Sequence, residues 1–192
     1  MKEIEVHKSV NARNDREADA LRAYMKQEKC LLVNVMSSPG SGKTTLLSRL
    51  IRDMQGTHIG VMEADIASDV DAEKIASLGA QSIQVHTDGM CHMDAGMTTS
   101  GIQHMDLADM DMIFLENVGN LICPAEFDTG AGLNVMILSV PEGDDKPLKY
   151  PLMFEKSDAL IITKKDASDY FDFDFEKCRE RALHLNPNMK IF

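Results

Sequence analysis

No apolar stretch in these 192 residues approaches the length of a membrane span, although the apolar content is ordinary at 44%. The first thirty residues are charged and polar and contain no signal-peptide core. Basic residues are scarce beside acidic ones, 20 against 31, for a formal net charge of −11. That balance excludes a general binder of nucleic-acid backbone, and no membrane partner is expected. Cysteine is sparse too. Four cysteines and no export signal predict reduced thiols, to be sought in metal binding, reactivity or packing, in a cytoplasmic protein. There is no internal repeat, low-complexity segment or linker, so residues 1–192 read as a single domain with a helical lead-in over 1–29.

The sequence SSPGSGKT at 37–44 dominates the remainder. An apolar run, LLVNVM at 31–36, precedes it, and TLLSRLIR at 45–52 follows with helical apolar spacing. Strand, glycine loop and helix are the context that gives a P-loop motif its meaning. Gly40 and Gly42 let successive N–H groups turn toward phosphate oxygens, and the helix start near Lys43 adds its positive dipole end. The cradle is therefore Gly40, Ser41, Gly42, Lys43, Thr44 and Thr45. Lys43 would reach the β- and γ-phosphates, and the Thr44 hydroxyl would hold Mg²⁺. The strict pattern has glycine where Ser37 stands, a minor departure.

Taken in order, 1–10 reads as an irregular lead-in and 11–29 as a helix with a thin apolar stripe. Strands are expected at 31–36, 58–63, 82–86, 112–116, 135–140, 159–163 and 189–192. Helices are expected at 45–54, 71–78, 95–108 and 175–185, with an irregular segment over 117–132 and a polar loop at 142–151. The alternation predicts an α/β P-loop NTPase fold: a mostly parallel sheet of about seven strands, with helices on both faces. Ligands in such sheets lie beyond the carboxyl ends of the strands.

Three strand ends carry further candidates. Glu116 ends the 112–116 strand, where a carboxylate can hold a Mg²⁺ water or orient the attacking water. Gly119 would let a backbone N–H approach the γ-phosphate. Asp65, just after the second strand, is the second candidate acid, with Asp69 and Asp71 competing and helix capping a strong reading of Asp71. TKKD at 163–166 resembles the Asn-Lys-x-Asp of guanine-specific P-loop proteins. Lys164 and Asp166 fit as base-binding residues, while Thr163 replaces asparagine. Cys91, His92 and Cys123 all fall on strand-end loops and form a soft donor set suited to Zn²⁺ or Ni²⁺. An adjacent Cys-His pair with one distant cysteine is, taken alone, more often packing than a metal site. Glu116, Gly119 and Cys123 share one short segment, so a γ-phosphate-driven shift would move a metal ligand and couple the two affinities.

In order, SSPGSGKTTLL, EADIASDVDAEKI, CHMDA, ENVGNLICPAEFD, EGDDKPLKYP and TKKD resemble the HypB family of hydrogenase-maturation GTPases over roughly residues 30–190. The UreG-type urease GTPases are the nearest relatives in function. The resemblance implies GTP hydrolysis to GDP, nickel delivery to the large subunit of [NiFe]-hydrogenase together with other maturation proteins, and a nucleotide-dependent homodimer. It also implies a Ni²⁺ or Zn²⁺ site at Cys91, His92 and Cys123. The CxxCGC motif and histidine-rich tract of some members are absent here, so N-terminal nickel storage is not expected. Thr163 and the chain's end at Phe192 both bear on guanine recognition. Cleavage is expected to be slow, because no arginine finger is evident. The alternatives are a nucleotide-responsive metal carrier with little hydrolysis, a nickel GTPase serving another enzyme such as urease, and an ATP-dependent kinase, which lacks the arginine-rich lid it would need.

Overall fold

A computed structural model describes residues 6–64, 75 and 77–192, with side chains from Ala12 onward outside the same gap. Helix α1 (Val6–Gln27) opens the chain, so part of the expected lead-in is helical. Seven strands follow: β1 (Leu31–Ser37), β2 (Ile59–Ala64), β3 (Gln81–Val85), β4 (Met112–Glu116), β5 (Leu133–Ser139), β6 (Ala159–Thr163) and β7 (Lys190–Ile191). They form one sheet in the order β3-β2-β4-β1-β5-β6-β7, and every pairing is parallel. β1 is central, with β4 on one side and β5 on the other, so the loop after it sits where the strand order diverges. That is the switch point at which such sheets bind ligands.

Both faces of the sheet are covered, as the buried apolar runs require. On one face Val33, Val35, Val61, Phe114 and Ile137 pack with Leu47 of helix α2 (Lys43–Asp53). On the other, Leu32, Met62, Ile113 and Leu115 meet Leu21 and Met25 of α1 and Ile102 of the helix Ala95–Ile102. Further along that face Met36, Met136, Leu138 and Leu160 pack on Met153 and Phe154, and on Cys178 and Ala182 of the helix Phe175–Leu185.

Several expected elements differ. The helix placed at 95–108 stops at Ile102; Met105, Leu107 and Met110 continue its apolar pattern from turns, packed on the core beside β2. The irregular 117–132 segment contains a short helix, Cys123–Glu126. The polar loop at 142–151 folds into the turn Val140–Glu142 and the helix Lys146–Lys149, and Pro151–Lys156 is a further helix. Most of the 71–78 helix lies outside the described residues. Among the described residues no helix is long and apolar enough to cross a membrane.

Candidate functional site

The carboxyl ends of β1, β2 and β4 enclose a cleft of about 550 Å³ lined by Gly40, Gly42, Lys43, Thr44, Thr45, Glu63, Glu116 and Gly119, with Pro39 and Asn117 among the rest. Gly42 takes φ 103° immediately before α2, a left-handed conformation natural to glycine, and no side chain caps the helix. The start of α2 thus faces the cleft with its positive dipole end, which is the fit a nucleotide phosphate requires. Lys43 Nζ donates to Ser37 Oγ at 2.9 Å, so the residue that departs from the strict motif supplies a hydroxyl that holds the lysine over the loop. Ser41 is buried, and its carbonyl accepts from the Thr163 hydroxyl at 2.7 Å.

Thr44 Oγ1 donates to Glu116 Oε1 at 3.1 Å. Glu63 and Glu116 are register partners on adjacent strands, and Glu63 is buried. A hydroxyl and two carboxylates at one end of the cleft are hard oxygen donors, a set that fits Mg²⁺. Glu63 was passed over in the sequence in favour of Asp65, which lies outside the described residues, as do Asp69 and Asp71. Its signal was the acid at the end of an apolar strand, the same signal that pointed to Glu116. A Cβ on Gly119 would lie 3.1 Å from Pro39 Cα, so the absence of a side chain lets this segment lie against the P-loop. The two base-site candidates do not line the cleft. Lys164 Nζ donates to the Gly40 carbonyl at 2.7 Å, bracing the loop from the end of β6. Asp166 is exposed and does not line the cleft.

The three metal candidates do converge. One donor atom each from Cys91, His92 and Cys123 lies within 4.8 Å of the others. Cys91 Sγ is 2.6 Å from Cys123 Sγ and 3.9 Å from His92 Nδ1. A tetrahedral ion with metal–sulfur bonds of about 2.3 Å sets sulfurs roughly 3.8 Å apart, so the thiols part slightly to admit one. The His92 ring stacks on Phe127 with centroids 3.8 Å apart, a contact the sequence did not suggest. Burial lowers the His92 pKa against the pull of Asp94 and Glu126, favouring the neutral imidazole that a metal needs. The Cys123 thiol is pushed up, first by its hydrogen bond with Cys91 and then by burial. Two thiols sharing one site resist joint ionisation, and a bound cation reverses that preference.

Buried asparagines hold the loop that bears Cys91 and His92. Asn14 of α1 accepts from the Ala95 N–H at 2.9 Å and donates to the Asp128 carbonyl at 2.9 Å, tying the segments that carry the three metal candidates to the N-terminal helix. Asn117, directly after Glu116, accepts from the Met93 N–H at 3.2 Å. None of these was singled out in the sequence. The available signal was polar residues inside apolar runs, notably Asn-Val-Met in both β1 and β5.

The family model described as "CobW/HypB/UreG, nucleotide-binding domain" matches residues 31–192. Hydrogenase maturation factor HypB of Escherichia coli (strain K12) is 43% identical over 189 residues, which are 98% of this chain and 65% of that protein. Hydrogenase/urease maturation factor HypB of Helicobacter hepaticus is 41% identical over 195 residues, covering 100% of this chain and 80% of the relative. The crystal structure of HypB from Helicobacter pylori in complex with nickel superposes with a TM-score of 0.89 at 38% identity, over 94% of this chain and 85% of that one. The chain belongs to the HypB family of CobW/HypB/UreG nucleotide-binding proteins.

Proposed function

We propose that this chain, as one P-loop domain over residues 1–192, is a slow GTPase whose nucleotide state controls a nickel-carrying site during maturation of [NiFe]-hydrogenase. The observation that carries the reading is the segment from Glu116 to Cys123. Its first residue accepts the Thr44 hydroxyl in the cleft, Gly119 lies against the P-loop, and its last residue belongs to the thiol–imidazole triad. The names of the relatives and the nickel complex of the H. pylori protein support the client and the cargo. The urease in the name of the H. hepaticus relative supports a second nickel enzyme as an alternative client.

Lys43 and the loop amides stabilise negative charge on the β- and γ-phosphates as it grows. Thr44, Glu116 and Glu63 would hold Mg²⁺, with Asp65 as a further acid, and the ion would supply neutralisation of phosphate charge. Glu116 also orients the attacking water, and the Gly119 N–H reads the γ-phosphate. Lys164 and Asp166 hold guanine, Asp166 accepting from its N1–H and amino group. No arginine lines the cleft among the described residues, in keeping with slow turnover. Cys91, His92 and Cys123 take Ni²⁺ or Zn²⁺ as cargo and leave one tetrahedral position for a ligand from a recipient. The working form is a cytoplasmic homodimer that meets the hydrogenase large subunit and other maturation proteins.

The test is binding of GDP against ADP with Mg²⁺ present, followed by single-turnover cleavage of the preferred triphosphate. A clear GDP preference with GTP cleavage is expected. Equal affinity for both would remove the guanine assignment, and GTP bound but left intact would favour a carrier without hydrolysis.

A further inference from the structure

Three asparagines, two of them buried and Asn134 half-buried, form a row across one face of the sheet. Asn134 on β5 and Asn34 on β1 are register partners, and Asn34 Nδ2 donates to Asn134 Oδ1 at 3.0 Å. Asn117, at the end of β4, donates through Nδ2 to Asn34 Oδ1 at 3.0 Å. Its own Oδ1 accepts from the Val118 N–H at 2.9 Å and the Met93 N–H at 3.2 Å. Two N–H donors on one oxygen fix the orientation of the Asn117 amide, and that in turn fixes the next rung. The row is polar within an apolar layer: Asn34 lies between the core residues Leu32 and Met36, and both Asn34 and Asn117 are at most 2% exposed. Burying such amides without partners would be costly, so the face keeps its polar row only as a connected set.

The row ends at the ligand loop. Met93 follows His92 directly, and Asn117 follows Glu116, the acid joined to Thr44 in the nucleotide cleft. Asn117 therefore touches the segment that faces the nucleotide and the loop that carries two metal ligands. The other end of that loop is held at Ala95 by Asn14, which touches nothing in the cleft.

We propose that Asn117 is the positioning residue that transmits the nucleotide state to the Cys91–His92 side of the metal site, with Asn34 and Asn134 as its fixed anchor. Asn14 holds the same loop without regard to nucleotide. The inference rests on the nucleotide-coupled metal site proposed above. It adds a second path, distinct from the covalent one that runs from Glu116 to Cys123.

The experiment titrates the full chain with Ni²⁺, and separately with Zn²⁺, in the presence of GDP or a non-hydrolysable GTP analogue, and reads the ratio of the two metal affinities. Wild-type protein is expected to show a ratio of about tenfold. Asn117→Ala is expected to bring it to within about twofold. Asn14→Ala is expected to weaken metal binding equally in both states, leaving the ratio unchanged. A purely structural role for Asn117 predicts that same uniform loss. Should Asn117→Ala fail to fold, Asn34→Ala carries the test, with a ratio reduced but not abolished. A wild-type ratio of one would overturn the coupled-site reading and this inference with it. A wild-type ratio that survives in Asn117→Ala or Asn34→Ala would overturn this inference alone.

Discussion

The phosphate cradle and the thiol–imidazole triad are built at the same end of the sheet, by opposite means. The cradle is a contiguous stretch after β1 whose geometry is set by the backbone: the left-handed Gly42, the start of α2 and one lysine. The triad is made of side chains from two loops 32 residues apart, brought together by buried amides from α1 and β4. A motif made of consecutive backbone atoms survives changes elsewhere in the chain. A site made of distant side chains depends on every tether that sets its loops.

The largest expected effect separates the two. Lys43→Ala removes the charge over the phosphates and is expected to lower single-turnover GTP cleavage by at least about 1000-fold. Nickel affinity of the nucleotide-free protein should not change; a parallel loss of metal binding would mean that cradle and triad are one structural unit. Next comes Cys123→Ser, expected to weaken Ni²⁺ or Zn²⁺ binding by about 100-fold, read by metal titration, with GDP affinity unchanged.

Gly119→Ala probes the joint between them. The new Cβ would sit 3.1 Å from the Cα and N of Pro39, so the segment must move off the P-loop. GDP affinity is expected to fall by about tenfold, with a stability loss of about 1–3 kcal/mol in denaturant titration. The smallest effect concerns the clamp beneath the triad, where Arg22 holds Asp128 at 2.7 Å. Burial works to raise the Asp128 pKa, but the Arg22 hydrogen bond, the Gly130 N–H and the positive charge outweigh it and leave it below the ordinary 3.8. A depressed carboxylate pKa stabilises the fold above the unfolded-state value and ceases to do so as pH falls through the folded one. Asp128→Asn is therefore expected to cost about 0.5–1 kcal/mol at pH 7. The gap from wild type should close below roughly pH 4, as followed by urea unfolding.

The same contrast explains what the sequence revealed. The P-loop, the central strands and the acid at 116 were readable because each is set by neighbouring residues and by burial on both faces. The three metal candidates, all expected on strand-end loops, do come together. What brings them together was not readable. The Asn34–Asn134 rung is a register contact between strands a hundred residues apart, and one polar residue in an apolar run does not name its partner. Glu63 carried the same strand-end signal as Glu116, and its register with Glu116 is what brings it to the cleft. The helix placed at 95–108 was too long because Ile102 and Met105 keep helical spacing while Met105 packs from a turn. Thr163 and Lys164, considered only for a base, also brace the P-loop carbonyls, a contact set by the closeness of β6 to that loop.

The central claim is that one short segment lets the nucleotide govern the metal. Its most direct test is a Ni²⁺ titration of the wild-type chain, followed through thiolate-to-metal absorption, with saturating GDP and then with a non-hydrolysable GTP analogue. The account predicts two affinities that differ by about tenfold, and by reciprocity a matching nickel-dependent change in nucleotide affinity. Identical nickel affinities in the two states would contradict it, leaving a nucleotide cleft and a thiol–imidazole cluster that share a fold and nothing more.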